Sequence, residues 1–249
     1  MSTVLRTFHQ SSWIQRLFLL VLICNIVLIL WGIRVVPATI AAPDGIARIL
    51  ADIGLQVVIG LLALFGPLSF QRSRSALWIS LFFGLLFAIA YDSLLLLDYL
   101  GVSENVNVYL FFLGAASLAG LIAGYQTRRF SQGVIAAIWA LVIGTAIWST
   151  SVLPMHYAFW GSHQAYVFWQ NDGAIDEFGR SGMTDLNLFL IQDIQGALFF
   201  HPLLSAVTGA ICGLVTSSLA QGVLRLWKLR SNPPASALDG VSGREKQQG

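Results

Sequence analysis

Charge is the scarcest property of this chain. Only 10% of its 249 residues are Asp, Glu, Lys or Arg, whereas 56% are apolar. A soluble domain is usually about a quarter charged, so there is too little charge here to coat a globule of this size. Cysteine is almost absent, and both copies, Cys24 and Cys212, lie inside apolar runs, where they read as small packing residues rather than redox or disulfide groups. No HExxH, CxxC, P-loop, GxSxG or kinase motif occurs. No Lys lies within an apolar run, which excludes a retinal-type Schiff base. The net charge of +2 gives no argument for nucleic acid, and none is expected as a partner.

Long apolar runs are what the chain has in abundance. Six of them, at 17–36, 49–70, 76–97, 107–125, 134–153 and 197–224, are each near the roughly 20 residues that a helix needs to cross about 30 Å of hydrocarbon. They are continuous rather than alternating, so they predict helices and not barrel strands. The expected fold is an all-α integral membrane protein with six transmembrane helices in one domain (1–230), followed by a disordered cytoplasmic tail (231–249) rich in Pro, Gly and Ser. The first run is too long for a signal peptide, and Pro37 to Ala41 is a poor cleavage site, so it reads as a retained helix.

The charges sort by side. Arg6, Arg16, Arg72, Arg74, Arg128, Arg129, Arg225, Lys228, Arg230, Arg244 and Lys246 flank one face, and only Arg34, Arg48 and Arg180 flank the other. Loop Lys and Arg stay cytoplasmic, so both termini are expected inside, in what reads as a bacterial plasma membrane. Trp13, Trp78 and Trp227 mark the inner interface, and Trp31 and Trp148 approach the outer one.

Small residues recur at four-residue spacing. Ala116, Gly120 and Gly124 do so in the fourth run, and Ser205, Gly209, Gly213 and Ser217 in the sixth. Lipid gives helices no hydrophobic reason to associate, so such ladders permit close packing, within one bundle or against a partner subunit. Pro67 and Pro202 are expected to bend the second and sixth helices.

The chemistry gathers on the outer side. Helical spacing puts Asp52 and Gln56 on one face, and helical rise brings Asp92, Asn107 and His201 to a similar depth. Intramembrane carboxylates are costly and mark functional sites by default. The connection at 154–195 lies above them and is expected to be a long extracytoplasmic loop. Its aromatic half, HYAFWGSHQAYVFW, predicts a short interfacial helix or re-entrant segment. Asn171-Asp172-Gly173 signals a turn, and Thr184 or Asp185 is placed near the cap of the last helix. Asp172, Asp176 and Glu177 read as a solvated acidic stretch, since EF-hand ligand order is missing.

The candidate ligand-binding residues are therefore Asp52, Gln56, Asp92, His156, His163, Asp193 and His201. His156 and His163 are seven apart, which is no recurring ligand spacing, so no metal is assigned and the cofactor is left open. Three functions fit this pattern. The first is a transport or solute-binding component whose polar site faces outward under the 154–195 loop. The second is an accessory or assembly subunit of a larger membrane complex. The third is a membrane enzyme acting on a lipid or cofactor at the outer leaflet, through Asp92, His156, His163 and His201. The expected partners are the lipid bilayer, other membrane subunits and a small-molecule ligand whose identity the sequence does not carry. Six helices with both termini inside and an outer cavity resemble, in architecture, the substrate-binding subunits of energy-coupling-factor transporters. Their small-residue motif in helix 1 is missing, since helix 1 reads LFLLVLICNIVLILWG, so the chain is not assigned to that family.

Overall fold

Nine helices and no strand account for the regular structure of the described residues. The computed structural model describes residues 13–42, 44–65, 74–100 and 108–231. The long helices are α1 (Trp13–Val35), α3 (Gly45–Phe65), α4 (Arg74–Tyr99), α5 (Val108–Thr127), α6 (Phe130–Phe159) and α9 (Leu186–Ser231). Short ones are α2 (Ala38–Ala41), α7 (His163–Asn171) and α8 (Ala174–Ser181). All six long helices are long and apolar enough to cross a membrane. Pro67, Asn107 and the tail beyond Ser231 lie outside the described residues.

The two sides of α1 explain why the bundle belongs in lipid. Phe18, Leu22 and Ile29 recur at helical spacing and are buried in the bundle. Leu17, Leu20, Ile23, Val27 and Leu30 point outward and are about half exposed, yet they are equally apolar. A helix that is apolar all round needs an apolar surround. The same pattern runs through α3, α4, α5 and α9, and together these outward faces form a continuous lipid-compatible surface.

Helix α6 is the axis. In its spanning stretch 67% of residues are buried, against 28–33% in the other five. It packs against α1, α4, α5 and α9, while α3 seals the side between α1 and α9. Small residues set the crossings. A Cβ on Gly84 would lie 2.7 Å from the Ala140 carbonyl oxygen, and one on Gly209 would lie 2.7 Å from Ile138 Cα. Gly133 similarly meets the Gly120 carbonyl and Gly124 of α5. Gly213 meets Val134 and Ala137 of α6, Ala116 is fully buried, and Gly124 lies against Ser217 and Ala220 of α9. The two ladders singled out in the sequence thus face α6 and each other, within this one chain.

The connection at 154–195 is not a long loop. Helix α6 continues through Pro154 to Phe159, and α9 already begins at Leu186, so only 160–185 lies between them, and α7 and α8 fill most of that. Proline at 154 removes one N–H from the helical ladder, but its ring points to an exposed side, so the helix carries on. Ser162 caps α7 by accepting from Ala165 N at 3.1 Å. Gly173 and Gly182 bracket α8 with φ of 87° and 72°, a left-handed conformation that glycine adopts at little cost. Asp185 caps α9, its Oδ1 accepting from Leu188 N at 3.1 Å. At 46 residues α9 is about 69 Å long, far more than a bilayer requires.

Candidate functional site

The carboxylates inside the bundle, Asp52 and Asp92, lie in the half that carries α7 and α8, while Gln15, Ser80, Gln132, Thr216 and Ser217 are buried toward the other end. Asp52 and Asp92 are each about 10 Å from that end of their helices, and Asn25 about 15 Å. They do not form one group. At about 100° per residue, Ala146, Thr150 and Tyr157 fall on one side of α6, and Trp148 and Ser151 fall on the opposite side.

The first group joins α4, α6 and α9. Ser151 Oγ donates to Asp92 Oδ2 at 2.6 Å, while Asp92 Oδ1 is buried with no hydrogen-bond partner. Tyr91 stacks on Trp148 at 5.2 Å, and the Trp148 ring lies 5.0 Å from that of His201. His201 Nδ1 donates to the Ala197 carbonyl at 2.8 Å, which leaves Nε2 of the neutral ring as an acceptor. Trp148 Nε1 is also buried without a partner. Deeper along the same helices, Thr145 and Ser205 share a 2.6 Å hydrogen bond.

The second group lies between α1, α3, α6 and α9. Asn25 Nδ2 donates to the Ala146 carbonyl at 3.0 Å, and Thr150 Oγ1 donates to Asn25 Oδ1 at 2.8 Å. Tyr157 donates to the Leu28 carbonyl at 3.1 Å, its ring seated over Gly32, where any Cβ would collide with it. Asp52 and Gln56 sit one turn apart on the buried face of α3, each only 2% exposed. Asp52 is within electrostatic range of Tyr157 and of Arg48, and Arg48 itself is exposed. On α9, Gln195 belongs to the buried stripe of Ile191, Ile194 and Leu198, which shares an apolar cluster with Ile49 and Ile53 of α3. Asp52 Oδ2, Gln56 Oε1 and Gln195 Oε1 are all buried without a hydrogen-bond partner.

The remaining candidates go elsewhere. His156 is buried in an aromatic cage. It hydrogen-bonds the Tyr99 hydroxyl through Nδ1 and stacks on Trp169 at 4.9 Å, with Phe168 alongside at 5.8 Å. Tyr99 in turn is sandwiched by Phe168 at 4.3 Å and Phe159 at 4.9 Å. Through this cage α7 is docked onto the bundle. His163 and Asp193 are exposed. Among the described residues no three His, Cys, Asp or Glu side chains lie close enough to hold a metal ion. At the turn after α7, burial raises the Asp172 carboxyl above its ordinary range, and repulsion from Glu177 and Asp98 adds to this.

Asp92, through Ser151, and His201, through Trp148, thus lie on one side of α6, Asp52 and Gln56 share the buried face of α3, which packs against the helix that carries Gln195, and His156 serves the cage. Asn25, Trp148, Tyr157 and Gln195 were not among the sequence candidates. Asn25 carried a usable signal, as the one strongly polar residue in the apolar stretch 17–33. Gln195 did not, because it precedes the apolar run at 197–224, on the part of the last helix expected outside the membrane, where a polar residue is unremarkable.

The chain matches no protein-family model, no curated protein and no solved structure. The fold defines a class only, that of an all-helical protein with six helices long and apolar enough to cross a membrane.

Proposed function

We propose that the protein is a solute-binding or transport component of a membrane. Its binding residues are Asp52, Gln56 and Gln195 in the outer half of the bundle, with Asp92 and His201 as a second polar group across α6. The distribution of Arg and Lys supports an orientation with both termini in the cytoplasm and α7 and α8 outside a plasma membrane.

One observation carries the reading. Three acceptor oxygens on two neighbouring helices, Asp52 Oδ2, Gln56 Oε1 and Gln195 Oε1, are buried without a donor. A buried acceptor left unpaired costs about 1–3 kcal/mol, and more if it is charged. Retaining three such groups in an apolar bundle supports a site that is completed by a donor-bearing or cationic solute. The test is native mass spectrometry of protein extracted gently from its own membrane. A small-molecule adduct that disappears in Asp52→Ala is the expected result. Identical bare spectra for both proteins would count against solute binding.

A second reading, an accessory subunit of a larger complex, is favoured by a separate feature. An apolar groove of about 420 Å³ lies between α5 and α9 at their Arg-rich end, lined by Leu121, Ile122, Tyr125, Gln126, Ala220 and Val223. It suits a lipid chain or an apolar partner segment. Stable co-purification of a second protein, lost on substitution of the exposed groove residue Val223→Trp, would support it; purification as a lone chain from native membrane would not. The enzyme reading is the least supported, because His156, His163 and His201 sit in three different surroundings.

A further inference from the structure

We propose that Asp52, Gln56 and Gln195 bind a small monovalent alkali-metal cation between α3 and α9. The proposal rests on the solute-binding reading and names the chemistry of what that site takes.

The three side chains offer oxygen acceptors of the kind that hard cations prefer, one carboxylate and two amides. Asp52 and Gln56 present theirs from successive turns of one helix face. Gln195 presents its oxygen from the neighbouring α9, which packs against α3, within the buried stripe of Ile191, Ile194 and Leu198 that shares an apolar cluster with Ile49 and Ile53 of α3. The nearest phenol adds no donor, since the Tyr157 hydroxyl hydrogen is committed to the Leu28 carbonyl. Asn25 spends one Nδ2 hydrogen on the Ala146 carbonyl, and none of the three oxygens receives the other.

Charge selects the valence. The buried site holds one carboxylate, and Arg48, the cation in electrostatic range of it, is exposed and screened by solvent, so one positive charge leaves the buried part neutral. A divalent ion would leave a net charge in a low-dielectric surround, which is strongly disfavoured. Size selects the ion over a larger solute. The three residues are at most 6% exposed and are bracketed by packed isoleucines, which suits a bare ion better than a molecule with a carbon skeleton. A proton on Asp52 is the competing occupant. It cancels the charge, but it supplies a hydrogen bond to only one of the two amide oxygens, whereas a metal ion engages all three groups at once.

The experiment is thermal unfolding of the full-length protein in detergent, in NaCl, KCl or choline chloride at equal ionic strength, at pH 6 and pH 8. A ligand that binds only the folded state raises the midpoint by mass action. The expected result is a saturable rise of several degrees in NaCl or KCl over choline chloride, largest at pH 8. That rise is lost in Asp52→Asn and in Gln195→Leu and kept in the exposed Asp176→Asn. Equal midpoints in all three salts, a shift that follows pH alone, or an undiminished salt effect in Asp52→Asn each overturn the proposal. If the salts are indistinguishable while the Asp52-dependent adduct persists in native mass spectrometry, the cation fails and solute binding survives. If both are absent, both fail.

Discussion

The Tyr99 hydroxyl and His156 Nδ1 are joined by a hydrogen bond that ties the end of α4 to the end of α6, with Phe168 of α7 against both rings and Trp169 stacked on His156. The cap is therefore held by aromatic stacking on a buried histidine. Truncating Trp169, which is 5% exposed, removes one wall of the cage. Trp169→Ala is expected to cost about 3 kcal/mol or more and to speed amide hydrogen exchange across 163–181 ahead of the spanning helices. Unchanged exchange there would show that the cap is docked by something else.

Asp172 makes that docking sensitive to pH. Its carboxyl is raised by burial and by repulsion from Glu177 and Asp98. A raised carboxyl binds its proton more tightly in the folded state than in the unfolded one. The stabilisation it gives is complete below the ordinary aspartate value, near 4, and is lost as pH rises through the raised value. Asp172 is itself exposed, so water screens part of the effect. Asp172→Asn should raise the unfolding midpoint at pH 7 and flatten its dependence between pH 4 and pH 7. A lower midpoint at pH 7 would reverse the sign of this account.

The helix crossings predict opposite outcomes for two glycines on α9. Gly209→Ala would place a Cβ 2.7 Å from Ile138 Cα and 2.8 Å from the Ala137 carbonyl oxygen, so backbone must shift, and folded yield should fall. Gly209→Leu should be worse. Gly222 has nothing within 4 Å of a built Cβ, so Gly222→Ala should be neutral or gain up to about 1 kcal/mol from helix propensity. Size-exclusion profiles and unfolding midpoints of the two variants check this directly.

Asp92 has one partner, Ser151, and a second oxygen with none. If the group around Trp148 contributes to solute handling, Asp92→Ala should leave expression intact and abolish function. Wild-type function in that variant would confine the site to the α3 side of α6.

Much of the fold was legible because lipid imposes a simple rule. A spanning helix must be apolar over about 20 residues, and the runs around Leu22, Ile59, Phe87, Ala119, Val142 and Gly209 obey it. The boundaries near the cap were less legible for local reasons. Pro154 looks like a terminator, yet its ring faces outward and α6 continues for five more residues. The start of α9 was legible, since Leu186, Phe189, Leu190 and Ile194 recur at helical spacing and Asp185 does cap it; what was not legible is that the polar Gln195 on these first turns is buried. Depth could be counted from the sequence, since helical rise is constant. Direction around α6 could not, because it depends on which neighbour each helix meets. That is why Asp92 and Asp52 look like one group in sequence and form two in space.

Cysteine accessibility addresses the outward-facing polar site most directly. With Cys24 and Cys212 replaced by Ala, single cysteines at Gln56, at the exposed cap residue Ser181 and at the exposed Arg128 would be treated in intact cells with a small membrane-impermeant thiol reagent. The account predicts that Ser181→Cys reacts at once from outside, that Gln56→Cys reacts from outside more slowly as the site opens, and that Arg128→Cys reacts only after permeabilisation. Labelling of Arg128→Cys but not Ser181→Cys in intact cells would contradict the orientation, and a Gln56→Cys reached only from the cytoplasmic side would contradict an outward-facing site.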